Sequence, residues 1–447
     1  APGSAVPTTT GKSEETTAVG GPRLADRVRQ TSRLLRSEGY EGITARVAQR
    51  IVNRLSPPGT ASMPVTTEDL ERAAQIADSG WLLPPTLPAE PGERLTIAWM
   101  SAPPGPGSGG HTTMFRLIAA LEQAGHQCIL YLRDRHGWAL EQHERRIRAW
   151  WPWVQAEVRD AAKGVEDAHG IFATAWETAY PVLVSPARGQ RFYLVQDFEP
   201  AFYPAGSESL LAEATYRFGF HGVTAGRWLA PMLQDKYGMP ADSFNFGRDL
   251  CYALDPHNGP EQRSGICFYS RPGTPRRAYE LAVLALELFA KRHPEVEIHF
   301  YGLEGKRLPF AVTNHGLRTP EQLNTLYNRS VAGLVLSATN VSLVPHEMLA
   351  AGCIPVVNDA EHNRVVLDND HVAYAPASPF ELARKLCELV ERPAAERHAA
   401  AEAAATSVQS TTWEDAGASV VRIVESVVTG ERALFGPPRP LTATDAV

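Results

Sequence analysis

The chain is 447 residues long, enough for two or three domains with their own cores, and its 44% hydrophobic and 21% charged residues are ordinary for a globular protein. A formal net charge of −7 gives no reason to expect nucleic-acid binding. The five cysteines (Cys128, Cys251, Cys267, Cys353, Cys387) form no CxxC or metal-ligand pattern, and no apolar run nears the ~20 residues of a membrane span. A cytoplasmic protein with no disulfide framework and no metal site is therefore expected.

The opening 20 residues are rich in Thr, Gly and Ser and carry no core pattern. From Arg23 to Arg54, eight arginines interleave with Leu24, Val28, Leu34, Leu35, Val47 and Ile51, the pattern of a basic amphipathic helix. Three readings stand for it: a solvated helical pair packed on the main domain, a dimer contact, or a peripheral contact with the inner face of a membrane. Residues 56–93 are proline-rich and read as a linker. The expected division is 1–93 (tail, basic extension, linker), 94–255, 256–410 and 411–447.

Leu95 to Met100 reads as the first core strand. It runs into Pro103–His111, a glycine-rich loop where backbone approaches a ligand closely, and then into an amphipathic helix at 112–124. A second strand follows at 127–132, then a helix carrying Trp138, Trp150, Trp151 and Trp153, for which core packing is the stronger expectation over sugar stacking. Arg191–Gln196 is a further strand that delivers Asp197, Phe198 and Glu199 to its carboxyl end. Another strand and helix follow at 222–237. Residues 239–262, rich in Asp, Pro and Asn, should be the hinge. Strands at 266–269 and 296–301 and a capped helix from Thr319 restart the alternation. Helices at 378–391 and from about 394 to 430 end it. This alternation predicts an α/β protein with two doubly wound parallel sheets.

The richest stretch is Ser337–Asp359. The apolar run Val331–Leu336 ends in small polar residues; Pro345 suits a first helical turn, Gly352 ends that helix, and Ile354–Val357 is the next strand. Such a unit places its loop at the carboxyl end of a strand, where open α/β sheets bind ligands. Backbone N–H groups of the loop Asn340-Val341-Ser342-Leu343-Val344 would meet an anionic or hydroxyl-rich ligand, with contacts to phosphate or sugar from Ser342, Leu343 and Val344 and with Glu347 one turn on.

These residues resemble the signature of family-four GT-B glycosyltransferases, in which a glutamate, seven residues and a second glutamate flank a sugar-nucleotide loop. Glu347, in PHEMLAAGCIPVV, matches the second glutamate, whereas Thr339 stands at the first. Arg271 and Arg276 have the spacing of the basic pair that in this family grips the donor diphosphate. YLVQDFEPAFYPAGSESLLAEATYRFGFHGVTAGRWLA, at 193–230, is similar to bacterial surface-glycan rhamnosyltransferases. The resemblance spans about 95–430. It implies a GT-B fold, two Rossmann-like domains facing a cleft, with an N-terminal helical extension, the first holding the acceptor and the second the donor.

The resemblance further implies sugar transfer, with dTDP-β-L-rhamnose as the expected donor and a saccharide or lipid-linked glycan as acceptor. No metal or other cofactor is expected, since guanidinium forks match phosphate oxygens. Glu347 would hold the ribose, and Tyr301, Gly302, Gly109 and Gly110 would line the donor site. Inversion at the sugar calls for a general base on the acceptor hydroxyl. Asp197 is the first candidate, Glu199 the second and His111 the third, each with the alternative of a purely structural cap. Thr339 in place of the first glutamate fits a 6-deoxysugar. A retaining hexosyl transferase with a UDP or GDP donor, or a silent sugar-binding scaffold, stays open.

Overall fold

The structure, a computed structural model, describes residues 63–78, 83–105, 108–135, 137–259, 262–302, 308–341 and 343–431. The basic segment 23–54, Ser342 and the tail beyond 431 lie outside the described residues.

The proline-rich stretch 56–93 is not all linker. Thr67–Asp78 is helix α1, started by a reciprocal cap in which Asp69 N–H donates to Thr66 Oγ1 (3.1 Å) and Thr66 N–H to Asp69 Oδ2 (3.2 Å). Leu70 and Ala73 lay its apolar side on the first core. Prolines 57, 58, 64, 84, 85 and 88 crowd both flanks and mask a short helix whose stability comes from this packing.

The first sheet alternates strand and helix: β1 Thr96–Ser101, α2 Gly109–Gln123, β2 Gln127–Leu132, α3 Leu140–Trp150, β3 Glu157–Asp160, β4 Gly170–Ala173, α4 Trp176–Val184, β5 Gln190–Val195, α5 Ser207–Ala214, β6 His221–Ala225, α6 Leu229–Tyr237 and β7 Ala241–Phe244. All its pairings are parallel, in the order β3-β2-β1-β4-β5-β6-β7. Neighbouring registers stack Trp99 on Phe172 (4.0 Å) and Phe172 on Phe192 (4.7 Å), an aromatic ladder across three central strands. β7 corrects the expected hinge at 239–262: four of those residues pair with β6, with Ala241 and Phe244 buried. The Trp-rich helix is also corrected. Trp151 alone of its four tryptophans is buried, against Phe115, whereas Trp138, Trp150 and Trp153 are 47%, 53% and 46% exposed.

The second sheet is built from β8 Gly265–Ser270, α7 Tyr279–Arg292, β9 Ile298–Gly302, β10 Thr313–Asn314, α8 Pro320–Arg329, β11 Ser330–Leu334, α9 Val344–Ala350, β12 Ile354–Asn358, α10 Glu361–Leu367, β13 Ala373–Ala375 and α11 Pro379–Val390. It too is parallel, in the order β10-β9-β8-β11-β12-β13. Winding direction reverses between β1 and β4 in one sheet and between β8 and β11 in the other. The loops leaving the carboxyl ends of these four strands are where such sheets take ligands.

Two helices finish the described chain, α12 Ala394–Ser407 and α13 Trp413–Val428. Helix α13 returns to the first domain: Ala416, Val420, Val424 and Val427 join the core of β1 and α2. Gly417 lies so close to α2 that a Cβ there would sit 2.5 Å from Ala120 Cβ. The chain thus passes twice between the domains, and the two passages touch. Arg248 bridges to Thr412, its guanidinium donates to the Val408 and Gln409 carbonyls, and Gly247 abuts the Trp413 backbone.

Candidate active site

The loop after β8 carries three arginines with different tasks. Arg271 lies over the Tyr269 ring, 5.1 Å from its centroid, and its Nε donates to the Tyr269 hydroxyl (2.7 Å). Arg276 lies over Phe202 of the first domain at 4.0 Å and pairs with Asp197 through its Nε at 3.2 Å. Arg277 turns inward, donating to Ser337 Oγ (2.8 Å) and the Asn340 carbonyl (3.3 Å); burial and the charges of Arg276 and Arg271 lower its pKa, with Asp197 opposing. Ala338 N–H closes the unit by donating to the Arg276 carbonyl (2.8 Å). The post-β8 and post-β11 loops are therefore one bonded assembly.

Across the cleft, Asp197 follows β5. Its Oδ1 accepts from its neighbour Phe198 N–H and from Asn340 N–H, both at 2.8 Å. The Asn340 side chain donates to the carbonyls of Gln196 and Ala225, each at 2.8 Å, joining the ends of β5 and β6 to the second domain. Gln196 in turn donates to the Gly110 carbonyl (3.0 Å), and a Cβ on Gly110 would lie 3.5 Å from that amide. Gly109 and Gly110 thus open α2 beside the Asp197 loop. Ser108 caps this helix, and His111 Nδ1 meets Ser108 Oγ at 2.7 Å; burial lowers the His111 pKa, opposed by a hydrogen bond with the Ala102 backbone.

The other candidates are placed elsewhere. Glu199 lies inside the first domain, accepting from Trp176 N–H (2.7 Å) and the Tyr193 hydroxyl (3.1 Å); burial and the charge of Glu177 push its pKa up to about 8. With the Tyr216 hydroxyl accepting from Glu199 N–H (3.0 Å), this carboxyl braces the loop that presents Asp197. Tyr301 is buried, stacked on Tyr269 at 5.3 Å with its hydroxyl 2.8 Å from that of Tyr327, and so stands behind Tyr269. Gly302 ends β9 at φ +107°, where a Cβ would sit 2.5 Å from the Ser270 carbonyl oxygen. Leu343 packs on the first domain's core and Val344 on the second's.

Glu347 is brought not to the Asp197 group but to Tyr252, Asp249 and Arg116. Burial first and then the Asp249 charge push its pKa up to about 8, with Arg116 and a Tyr252 hydrogen bond opposing. Arg116, on α2, pairs with Asp249 and lies 4.3 Å over the Trp413 ring. Among the described residues no cluster of three or more His, Cys, Asp or Glu forms a metal site, and no helix is long and apolar enough to cross a membrane.

Sequence reasoning placed Asn340 in the ligand loop through its backbone N–H but missed its side chain, and it gave Arg277 and Glu177 no task. Arg277 was signalled by the Arg276-Arg277 pair. Glu177, in the first turn of α4 at the carboxyl end of β4, has its pKa raised by burial. The Asn340 side chain gave no signal, because its partners are carbonyls whose location only the fold defines.

Comparison with known proteins places this geometry. Residues 264–387 match the family described as WsaF, C-terminal domain. A relative, the O-antigen biosynthesis protein RfbC of Myxococcus xanthus, is 34% identical over 266 residues, covering 57% of this chain and 20% of RfbC. The chain therefore spans about a fifth of that relative's length. Among solved structures, Anabaena HepE in complex with UDP-glucose superposes with a TM-score of 0.56 at 13% identity, over 75% of this chain and 100% of HepE. TarM superposes with a TM-score of 0.61 at 10% identity, over 76% of this chain and 100% of TarM. The two facing parallel sheets are a GT-B Rossmann-like fold, with its second domain similar to the WsaF C-terminal domain.

Proposed function

We propose that this chain is a glycosyltransferase that moves a sugar from a nucleotide donor onto a saccharide acceptor of a surface polysaccharide. The observation that carries the reading is the gathering of Arg271, Arg276 and Arg277 at the end of β8, opposite a single carboxylate, Asp197, on the facing domain. Negative charge develops on the departing diphosphate in the transition state, and preorganised guanidinium groups stabilise it there without a metal. The naming of RfbC as an O-antigen biosynthesis protein supports a surface glycan as product.

Within that reading we infer dTDP-β-L-rhamnose as donor and inversion as the stereochemical course. The acceptor oxygen bonds to the anomeric carbon as the bond to the diphosphate oxygen breaks, with its electron pair leaving on the diphosphate. The acceptor proton passes to the Asp197 carboxylate. Glu347 would hold the ribose, and the segment 23–54 would rest on the membrane carrying a lipid-linked acceptor. A second reading, a retaining hexosyl transferase using a UDP sugar, is favoured by the UDP-glucose complex of HepE on the same fold.

A thermal-shift comparison of dTDP, UDP, GDP and ADP tests both, since a ligand bound by the native state alone raises its melting temperature. Stabilisation by dTDP, abolished in Arg271→Ala and Glu347→Ala, is the expected result. Preference for UDP selects the second reading. No shift with any nucleotide would leave a sugar-binding scaffold instead.

A further inference from the structure

Asp197 is held as an anionic ligand would be. Its carboxylate receives the Asn340 N–H and, through an ion pair, the Arg276 guanidinium, both from the opposite domain. The side chain is 9% exposed, but Arg276 is 26% exposed and so reachable from solvent. The Arg276 contact is close without being aligned, so this buried Nε–H has no hydrogen-bond acceptor. In the same loop as Asn340 N–H, Thr339 Oγ1 and Asn340 Oδ1 are also buried without a partner. Three guanidiniums against one carboxylate leave a surplus of two positive charges, and a diphosphate in place of that carboxylate would cut the surplus to one.

We propose that the Asp197 carboxylate occupies the seat of a donor phosphate, and that a nucleoside diphosphate displaces it from Arg276 and the Asn340 N–H. This rests on the nucleotide-sugar reading above and assigns Asn340 to the donor site through its backbone. Once displaced, Asp197 has lost its two partners across the cleft and is free to accept the acceptor's proton. The base is masked until the donor arrives, which imposes an order, donor before acceptor. A carboxylate that merely aligned Arg276 would act in the opposite sense, strengthening phosphate binding by keeping the guanidinium in place.

Calorimetric titration of the full chain with dTDP and UDP separates these senses. Removing a competing carboxylate in Asp197→Asn tightens nucleotide binding, by roughly twofold to fivefold for one ion pair of this exposure, even as turnover is lost. Unchanged or weaker binding in Asp197→Asn, with the wild type binding normally, overturns the proposal and leaves the glycosyltransferase reading intact. A wild type that binds neither nucleotide overturns both. Hydrogen exchange on the wild type gives a second test that does not depend on the variant folding. With dTDP bound, amides at 198–202 exchange faster and those at 338–341 slower; protection of both segments would overturn the displacement.

Discussion

At the scale of single residues, adjacent arginines at the end of β8 divide two tasks. Arg277 is half-buried and holds the post-β11 loop through Ser337 and the Asn340 carbonyl, whereas Arg276 reaches across to the facing domain. Arg277→Ala takes the guanidinium donor from the buried Ser337 hydroxyl, while the Asn340 carbonyl keeps the bond from that hydroxyl (2.8 Å), and is expected to destabilise by about 1–3 kcal/mol in urea unfolding. Arg276→Ala should lose the nucleotide-induced thermal shift while keeping near-normal stability, because its one ion pair is partly solvated. If the two variants behaved alike, the division would be wrong. The basic pair Arg271 and Arg276 was legible only through its resemblance to the family's spacing, whereas a carboxylate at the end of β5 was legible from the strand that delivers it. Their meeting was not: Asp197 and Asn340 are 143 residues apart, and which strand ends face one another is a property of the assembled domains.

Among the elements, apolar periodicity found nearly every central strand and long helix, because a strand buried on both faces has few alternatives to a continuous apolar run. It failed where burial is one-sided or short. Helix α1 was lost among prolines, and β7 among Asp and Asn, though its Ala241 and Phe244 are buried. The tryptophans around α3 show that residue type does not decide burial. Trp151 packs against Phe115 at 4.7 Å and donates to Thr112 Oγ1 (3.0 Å), so Trp151→Ala should cost about 3–5 kcal/mol. Trp150→Ser, one position away and half exposed, should stay within about 0.5 kcal/mol of wild type. Gly302→Ala should cost about 1–3 kcal/mol, since the left-handed backbone and the nearby Ser270 oxygen both oppose a side chain.

For the whole molecule, buried titratable groups set the pH dependence of stability. Glu199 and Glu347 are pushed up to about 8 in the fold from an ordinary 4.5, so between those values the native state holds protons that the unfolded chain has lost. Stability therefore falls as pH rises through that window. His346, pushed down to about 4 by burial, has the opposite slope, with stability falling as pH drops from about 6.5 to 4. Above pH 6.5 the carboxylates act alone, so the melting temperature should fall from pH 6.5 to 8. Glu199→Gln should flatten that fall, and a melting temperature that rises over this interval would refute the assignment.

The paired passages between the domains restrict how the cleft can move. One flexible linker would let the second domain swivel in any direction, like a ball in a socket. Here 247–248 and 408–413 run side by side and are bonded to each other, so the joint behaves as two pins on a common axis. A rotation of one domain against the other would then be confined largely to that axis. Such a rotation would carry the arginines and Asp197 apart and together along a single arc, returning them to the register of the Arg276–Asp197 pair.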